Sequence, residues 1–356
     1  LPEDRKQSIK IIDLQINQSL EIDYTFDGKK LPYSKYYLSS ICVGRGFHWE
    51  KQITITIEGE LKIRFIDGAL LITNQVTLEK YLASVATSEM SGNCPPALLE
   101  AQTIAARSWL LASTEQKHLK LGLDACNDDC CQRYQGTDFI TDAAQEAVNK
   151  TIGQVLIFND HICDARYSKS CGGISENNEN VWEMEPKPYL RSIFDGDQIE
   201  TPTFKSKSNL KKWMTNDQNC YCSSKFVQNN NLNKYLGHVD ETKSYFRWQV
   251  QFTQRDLAEL ISKKTGQNYD SILSIKPIDR GISGRITKLE IHGIEKKTKI
   301  NTTINSEYEI RRILHPDFLF SSAFIIETNS KNGSLPSFFK FRGAGWGHGV
   351  GLCQIG

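Results

Sequence analysis

The stretch Phe341-Arg-Gly-Ala-Gly-Trp-Gly-His-Gly-Val-Gly-Leu-Cys-Gln354 is the densest concentration of chemically capable residues in the chain. Gly343, Gly345, Gly347, Gly349 and Gly351 alternate with Ala344, Trp346, His348 and Val350. In an extended chain, successive side chains point to opposite faces. The spacing therefore predicts one face of bare backbone and a second face from which Trp346 and His348 project together. Glycine inside a strand is unfavourable unless a ligand or another backbone approaches closely. Neither a dinucleotide fingerprint nor a P-loop Gly-Lys-Ser/Thr fits the stretch. Cys353 falls on the face opposite His348, which disfavours a Cys-His nucleophile pair.

Three other places carry candidate chemistry. Glu89, in Thr87-Ser88-Glu89-Met90, sits between an apolar segment and Pro95-Pro96. A partly desolvated carboxylate there suits general acid work, and a solvated or capping carboxylate is the plainer reading. His118, Cys126, Cys130 and Cys131 bring one imidazole and up to three thiolates together, a donor set for tetrahedral zinc. Adjacent Cys130 and Cys131 are not expected to bind one ion together without strain, and a disulfide to a distant cysteine is the alternative. Tyr167-Ser-Lys-Ser-Cys-Gly-Gly173 offers hydroxyls, the Lys169 ammonium and loop N–H groups to a polar ligand. Ser168 and Ser170 lack a nucleophile elbow.

The elements needed to position these residues follow from periodicity. Residues 8–75 read as strands, with a turn at Asp27-Gly28 and breaks at Asp-Gly and Glu-Gly pairs. The helical pattern begins near residue 76. Pro95 and Pro96 suit a helix's first turn, where N–H groups lack intrahelical partners. Spacing of Leu98, Ala101, Ala105, Trp109 and Ala112 predicts the apolar face of this helix, with Glu100, Thr103 and Arg107 opposite. A further helix is expected at Thr141–Gly153. The polar stretch 195–245 reads as an insertion or mobile connection. Beyond it come a strand at Arg247–Thr253, a helix closed by Gly266, a hairpin turning near Ser283-Gly284, and a short helix at Glu307–His315. The expected class is α+β: an amino-terminal β-rich portion, 1–75, packed on a mixed α/β region, 76–356, with a central cleft.

Composition narrows the function. The 356 residues carry 43 Lys+Arg against 42 Asp+Glu, a net charge of +1, which excludes a generic nucleic-acid-coating protein. No segment approaches the roughly 18–20 apolar residues of a membrane span. The start, LPEDRKQ, lacks Met and an apolar signal core, and reads as a processing boundary. Ten cysteines fit either an oxidising compartment or a metal-binding chain.

In order along the chain, Tyr81-Leu82, Ser88-Glu89-Met90, Glu100-Ala-Gln102, Ala105-Ala-Arg107, Cys131-Gln-Arg-Tyr134, Ser170-Cys-Gly-Gly173, Val181-Trp182, Pro188-Tyr-Leu-Arg191, Ser283-Gly-Arg285 and Gly345–Gln354 together resemble the stage II sporulation protein D, or amidase-enhancer, family of peptidoglycan lytic transglycosylases. The resemblance covers about residues 76–356, and Gly46-Phe-His-Trp-Glu50 is similar to the amino-terminal β portion of some members. It implies an exported, periplasmic or cell-surface protein acting on peptidoglycan glycan strands, with a cell-wall amidase as a further partner.

The resemblance further implies cleavage of the MurNAc-GlcNAc bond, with Glu89 as single acid/base protonating the scissile oxygen and then deprotonating the muramic 6-hydroxyl to leave a 1,6-anhydro sugar. Arg107 would position Glu89 or bind the glycan, and Gln102 would hydrogen-bond within the site. Tyr167, Lys169 and Ser170 would contact sugar hydroxyls. His348, Gln354 and Trp346 would line the cleft. No cofactor is required for such chemistry. Some relatives hold a structural zinc, which transfers to His118, Cys126 and Cys131, with Cys130 as the alternative ligand. A non-catalytic glycan-binding or amidase-activating protein of the same fold is the competing reading.

Overall fold

The computed structural model describes residues 21–23, 35–47, 49–197, 202–204, 206–238, 240, 244–330 and 334–356. The strand expected at 8–16, the turn at Asp27-Gly28, and His48 lie outside the described residues.

The amino-terminal region is β-rich, as its β-branched alternation predicts. Lys35–Val43 pairs antiparallel with Lys51–Glu58. Glu60–Ile66 is flanked by Ala69–Gln75 and Glu21–Asp23, both antiparallel to it. Asp67 and Gly68 both take positive φ between Ile66 and Ala69, the backbone of a tight two-residue hairpin turn. Ile55, Ile57 and Leu61 form a small core with Tyr134.

Three helices follow: α1 (Leu78–Glu89), α2 (Pro96–Ala112) and α3 (Asp142–Lys150). Pro96 opens α2 as its first helical residue. Thr141 caps α3 by accepting the Ala144 N–H. The three pack around Leu82, Ala83, Val85, Ala106 and Val148. The buried face of α2 departs from the apolar pattern. Leu99, Gln102, Thr103, Ala106 and Arg107 point inward, while Ala101 is exposed. Polar groups can take this face because they are bonded: Thr103 and Ser108 hydroxyls donate to carbonyls four residues back, and Arg107 finds a carboxylate.

The carboxy-terminal part is mixed α/β. Arg247–Thr253 and Phe324–Thr328 flank Phe338–Ala344 in one antiparallel sheet. Ser271–Arg280, Ile286–Glu295 and Thr298–Ile304 form a meander, turning near Gly284. The helix Gln254–Thr265 ends on left-handed Gly266, and with Glu307–Ile313 it covers a core of Trp248, Leu257, Ile261, Leu289, Phe339 and Phe341. The architecture is α+β, with a β-rich amino-terminal region and a mixed α/β remainder.

Two expectations are corrected here. The stretch 195–245 is not merely a mobile connection over its described residues. It holds the helix Lys207–Thr215, capped by Ser206, and buries Leu210, Trp213, Met214, Cys220 and Cys222 against Cys171 and Phe194. The glycine-rich stretch is also not one extended strand. The strand ends at Ala344, and Gly345, Gly347, Gly349 and Gly351 all take positive φ. A Cβ on Gly351 would lie 2.0 Å from the Arg166 carbonyl oxygen, and one on Gly349 would lie 2.3 Å from the Arg285 guanidinium carbon. These glycines admit the protein's own groups. Pairing then resumes in parallel, Leu352 with Tyr167 and Cys353 with Ser168, and this register joins the two distant motifs.

Candidate functional site

Glu89 is the last residue of α1, and its carboxylate is built into the protein on both oxygens. One oxygen accepts the Arg133 backbone N–H at 3.1 Å and the Tyr167 hydroxyl at 3.3 Å. The other faces Gln354 Nε2 at 3.5 Å, and that amide also donates to Gln102 Oε1 at 3.2 Å. The residue is 8% exposed, Gln354 is 2% exposed and Gln102 is fully buried. Burial and the neighbouring Glu89 charge hold the Tyr167 phenol well above its ordinary value, so it stays a donor.

A buried ionic network surrounds this centre. Lys169 Nζ donates to the Glu89 backbone carbonyl at 2.5 Å and pairs with Asp240 at 2.9 Å. Arg133 pairs with the other Asp240 oxygen at 2.8 Å and with Asp129 at 2.8 Å. Burial alone would raise the Asp240 carboxyl, but Arg133 and Lys169 together bring it down to about 2. Burial pushes Asp129 up to about 6 against the pull of Arg133. Trp49 Nε1 donates to Asp129 at 3.0 Å, and its ring stacks on Phe47 at 4.4 Å between centroids. The amino-terminal region thereby contributes to the same site. Asp240 and Asp129 were not singled out in the sequence; each is one ordinary acid in a polar stretch until its partners are known.

Several candidates lie elsewhere. All the polar nitrogens of Arg107 face protein: Nε and Nη2 form a fork on Glu79, and Nη1 donates to the Gln154 carbonyl at 3.0 Å. It has no bond to Glu89 and no exposure, so its geometry is that of a strut between α1, α2 and the chain after α3. The Ser170 hydroxyl is buried beside Cys222. Trp346 packs among Tyr245, Phe320 and Trp49, with centroids at 4.3, 4.6 and 6.4 Å. His348 does not project with Trp346; it lies against Trp182 at 4.7 Å. His348 Nδ1 accepts the Val350 N–H at 3.1 Å. Burial and the cations Arg166, Arg285 and Arg311 hold the imidazole well below its usual value.

Two clusters of side chains are placed to coordinate a metal ion. In the first, one donor atom from each of His118, Cys126, Cys130 and Cys131 lies within 4.8 Å of every other. Cys130 Sγ is 3.5 Å from His118 Nε2 and 3.1 Å from Cys126 Sγ. With Zn–S near 2.3 Å and Zn–N near 2.0–2.1 Å, a tetrahedron has edges of about 3.6–3.8 Å, so small shifts seat an ion. Cys130 and Cys131 both lie in the cluster. Hydrogen bonds from Cys130 and Cys131 hold the Cys126 thiol far below its ordinary value, while hydrogen bonding to Cys126 and Cys131 pushes Cys130 up. The second cluster joins Cys171, Asp195, Cys222 and Cys353 under the same 4.8 Å limit. It was missed because its members lie in four separate segments.

Two cavities among the described residues lie away from Glu89. A cavity of about 450 Å³ is lined by Phe194, Phe204, Trp213, Asn209, Lys212 and Asn219 among others. A smaller one, about 230 Å³, includes Ala83, Tyr134 and Lys80. No helix among the described residues is long and apolar enough to cross a membrane.

Comparison with known proteins gives family-level similarity. Residues 67–158 match a family profile described as stage II sporulation protein, and residues 176–351 match one described as a domain of unknown function, DUF8618. An uncharacterized protein of Brachyspira hyodysenteriae is 26% identical over 84% of this chain and 65% of its own length. The amidase enhancer of Bacillus subtilis is 24% identical over 77% of this chain and 36% of its own length. Stage II sporulation protein D of Bacillus subtilis is 28% identical over 37% of this chain and 42% of its own length. The chain thus spans between 36% and 65% of the length of these relatives.

These findings overturn the enzymatic expectation. A lytic transglycosylase, a lyase with Glu89 as single acid/base, is not what they support. The match to a protein named an amidase enhancer and the His/Cys cluster of metal-ligand type fit a non-catalytic, zinc-binding activator better. The Glu89 carboxylate itself is buried and accepts bonds from three parts of the chain.

Proposed function

We propose that this protein is a non-catalytic cell-wall factor that binds peptidoglycan glycan strands and activates a wall amidase. The observation that carries the reading is similarity to an amidase enhancer over 77% of the chain. In this reading Glu89 ties α1 to the Tyr167 and Gln354 segments. His118, Cys126, Cys130 and Cys131 would hold a structural zinc, a closed four-ligand set with no open position for chemistry. The wall as working site, and hence export, follow from the same reading.

A glycan-binding surface is proposed at the cavity beside Trp213, away from the central cleft expected around Glu89. Phe194, Phe204 and Trp213 line it with apolar surface, and Asn209, Gln218 and Asn219 supply amides for sugar hydroxyls. The test adds the purified chain to isolated peptidoglycan, with and without a purified wall amidase. The expected result is co-sedimentation with the sacculi and faster release of stem peptides when amidase is present. Absence of both overturns the reading. Substituting Asn209 and Asn219 by Ala should weaken sedimentation several-fold while leaving the folded state intact; unchanged sedimentation removes this surface from the proposal.

A further inference from the structure

The buried Cys171, Cys222 and Cys353 and the half-buried Asp195 meet from four separate segments of the chain. Cys171 lies in the Gly-Gly loop, Asp195 directly follows Phe194, Cys222 lies in the 195–245 stretch, and Cys353 ends the glycine-rich stretch. Cys171, Cys222 and Cys353 are buried in one apolar cluster with Ile174, Phe194 and Trp213. Cys171 Sγ stands 3.7 Å from Cys222 Sγ and 3.2 Å from Asp195 Oδ2. A disulfide needs sulfurs about 2.05 Å apart. Two thiolates on one zinc stand about 3.8 Å apart, and a thiolate and a carboxylate oxygen about 3.5 Å apart, given Zn–S near 2.3 Å and Zn–O near 2.0–2.2 Å.

Backbone groups fix the donors in place. The Cys171 N–H donates to Cys353 Sγ, and the Gly173 N–H to Cys171 Sγ, each at 3.2 Å. Such N–H bonds suit sulfur carrying negative charge, as a metal-bound thiolate does. The Asp195 N–H donates to the Gly173 carbonyl, and the Tyr221 N–H to the Asp195 carbonyl, so the insertion is stitched to the loop next to the ligands. Arg247 Nη1 donates to the Gly172 carbonyl at 3.0 Å and provides a cation beside the cluster. Three thiolates, one carboxylate, one zinc ion and one guanidinium sum to a net charge of −1. Without the metal, that much anionic capacity in an apolar core would stand against its burial cost.

We infer that Cys171, Cys222, Cys353 and Asp195 form a second, buried structural zinc site, which staples the insertion and the carboxy-terminal motif to the Gly-Gly loop. The site is independent of the His118 cluster and of the amidase-activating role. Its closed four-ligand set marks it as structural. Its mechanical consequence falls on Gln354, the neighbour of Cys353, whose amide reaches Glu89 and Gln102.

Metal analysis of the purified full chain, dialysed against zinc under reducing conditions and then freed of loose metal, tests the inference. About two zinc ions per chain are expected. A variant with His118→Ala, Cys126→Ser, Cys130→Ser and Cys131→Ser should retain one. Adding Cys222→Ser or Cys353→Ser to that variant should remove it, whereas adding Cys163→Ser should not. X-ray absorption on the four-substitution variant should show three sulfurs near 2.3 Å and one oxygen. The inference is overturned if that variant folds with native circular dichroism and holds no zinc. It is equally overturned by a disulfide among these cysteines in the wild type after reducing purification. Should the four-substitution variant not fold, the wild type decides: one zinc per chain, insensitive to Cys222→Ser, sinks the site.

Discussion

Lys169 bonds the backbone carbonyl of Glu89, not its carboxylate. The ammonium sits at the C-terminal end of α1, where the last carbonyls lack intrahelical partners and the helix dipole favours a cation. Asp240 neutralises the same ammonium from the insertion side. Lys169, which follows the Tyr167 strand, therefore ties the end of α1 to Asp240. The resemblance implies a sugar contact for Lys169; in the fold its ammonium bonds the Glu89 carbonyl and Asp240.

Asp240→Asn should destabilise the protein by about 3–5 kcal/mol, because Arg133 and Lys169 would both keep a buried charge without their shared partner. The folded carboxyl at about 2 lies below its ordinary 3.8. Ionised Asp240 therefore stabilises the fold above about pH 4, and this contribution is lost as pH falls toward 2. Urea denaturation of both proteins should show the widest gap near neutrality and a closing gap in acid. A gap that stays constant with pH would assign the loss to packing.

Trp49 couples the amino-terminal region to the site through one hydrogen bond and its ring contacts. Trp49→Ala should cost about 3–5 kcal/mol, the range for removing a large buried aromatic. Trp49→Phe keeps much of the ring surface but leaves Asp129 without the indole N–H. Its cost should be smaller, about 1–3 kcal/mol, from the bond to a buried carboxylate. Thermal unfolding of the three proteins orders them; equal stability of Trp49→Phe and wild type would mean the hydrogen bond contributes nothing.

What the sequence disclosed follows from where information is local. The Asp67-Gly68 turn, Pro96 at the start of α2 and Gly266 at a helix end are fixed by backbone chemistry within a few residues, and the fold follows them. The inward face of α2 is hard to read because Arg107 and Gln102 are stable inside only with Glu79, Gln154 and Gln354, none of them nearby in sequence. Alternating glycines suggest a strand, yet the left-handed Gly349 and Gly351 admit Arg285 and Arg166 from other segments. The His118 cluster spans a short stretch and is visible as a spacing. The Cys171 cluster is not, because the parallel pairing of Cys353 with Ser168 and the folding of the insertion create it.

His348 should remain neutral well into acid. Its folded value lies well below the ordinary 6.5, so the folded state binds fewer protons than the unfolded chain below that pH. The stabilisation from keeping the ring neutral is complete above about pH 6.5 and declines as pH falls below it. His348→Gln should flatten the acid-side fall in unfolding free energy relative to wild type. The imidazole proton resonances of His348 should hold steady between about pH 8 and 5.5, where a solvated histidine would titrate. A midpoint near 6.5 would show that burial and the three arginines do not act on this ring.

Removing metal from the His118 cluster should loosen the loop that carries Asp128 and Asp129. Asp128 accepts the Gly44 and Arg45 N–H groups, and Asp129 accepts the Trp49 indole, so this loop links the amino-terminal sheet to the Glu89 site. A bound zinc would fix Cys126, Cys130 and Cys131 on either side of those aspartates, and metal that binds only the folded state adds its binding free energy to stability. Cys126→Ser should therefore lower the melting temperature and speed proteolysis within residues 118–131, with smaller change in the meander Ser271–Ile304. Chelation of the wild type should reproduce the effect, and zinc should restore the wild type but not the variant. Equal protease sensitivity with and without chelator would show that the four side chains are held by their own hydrogen bonds alone.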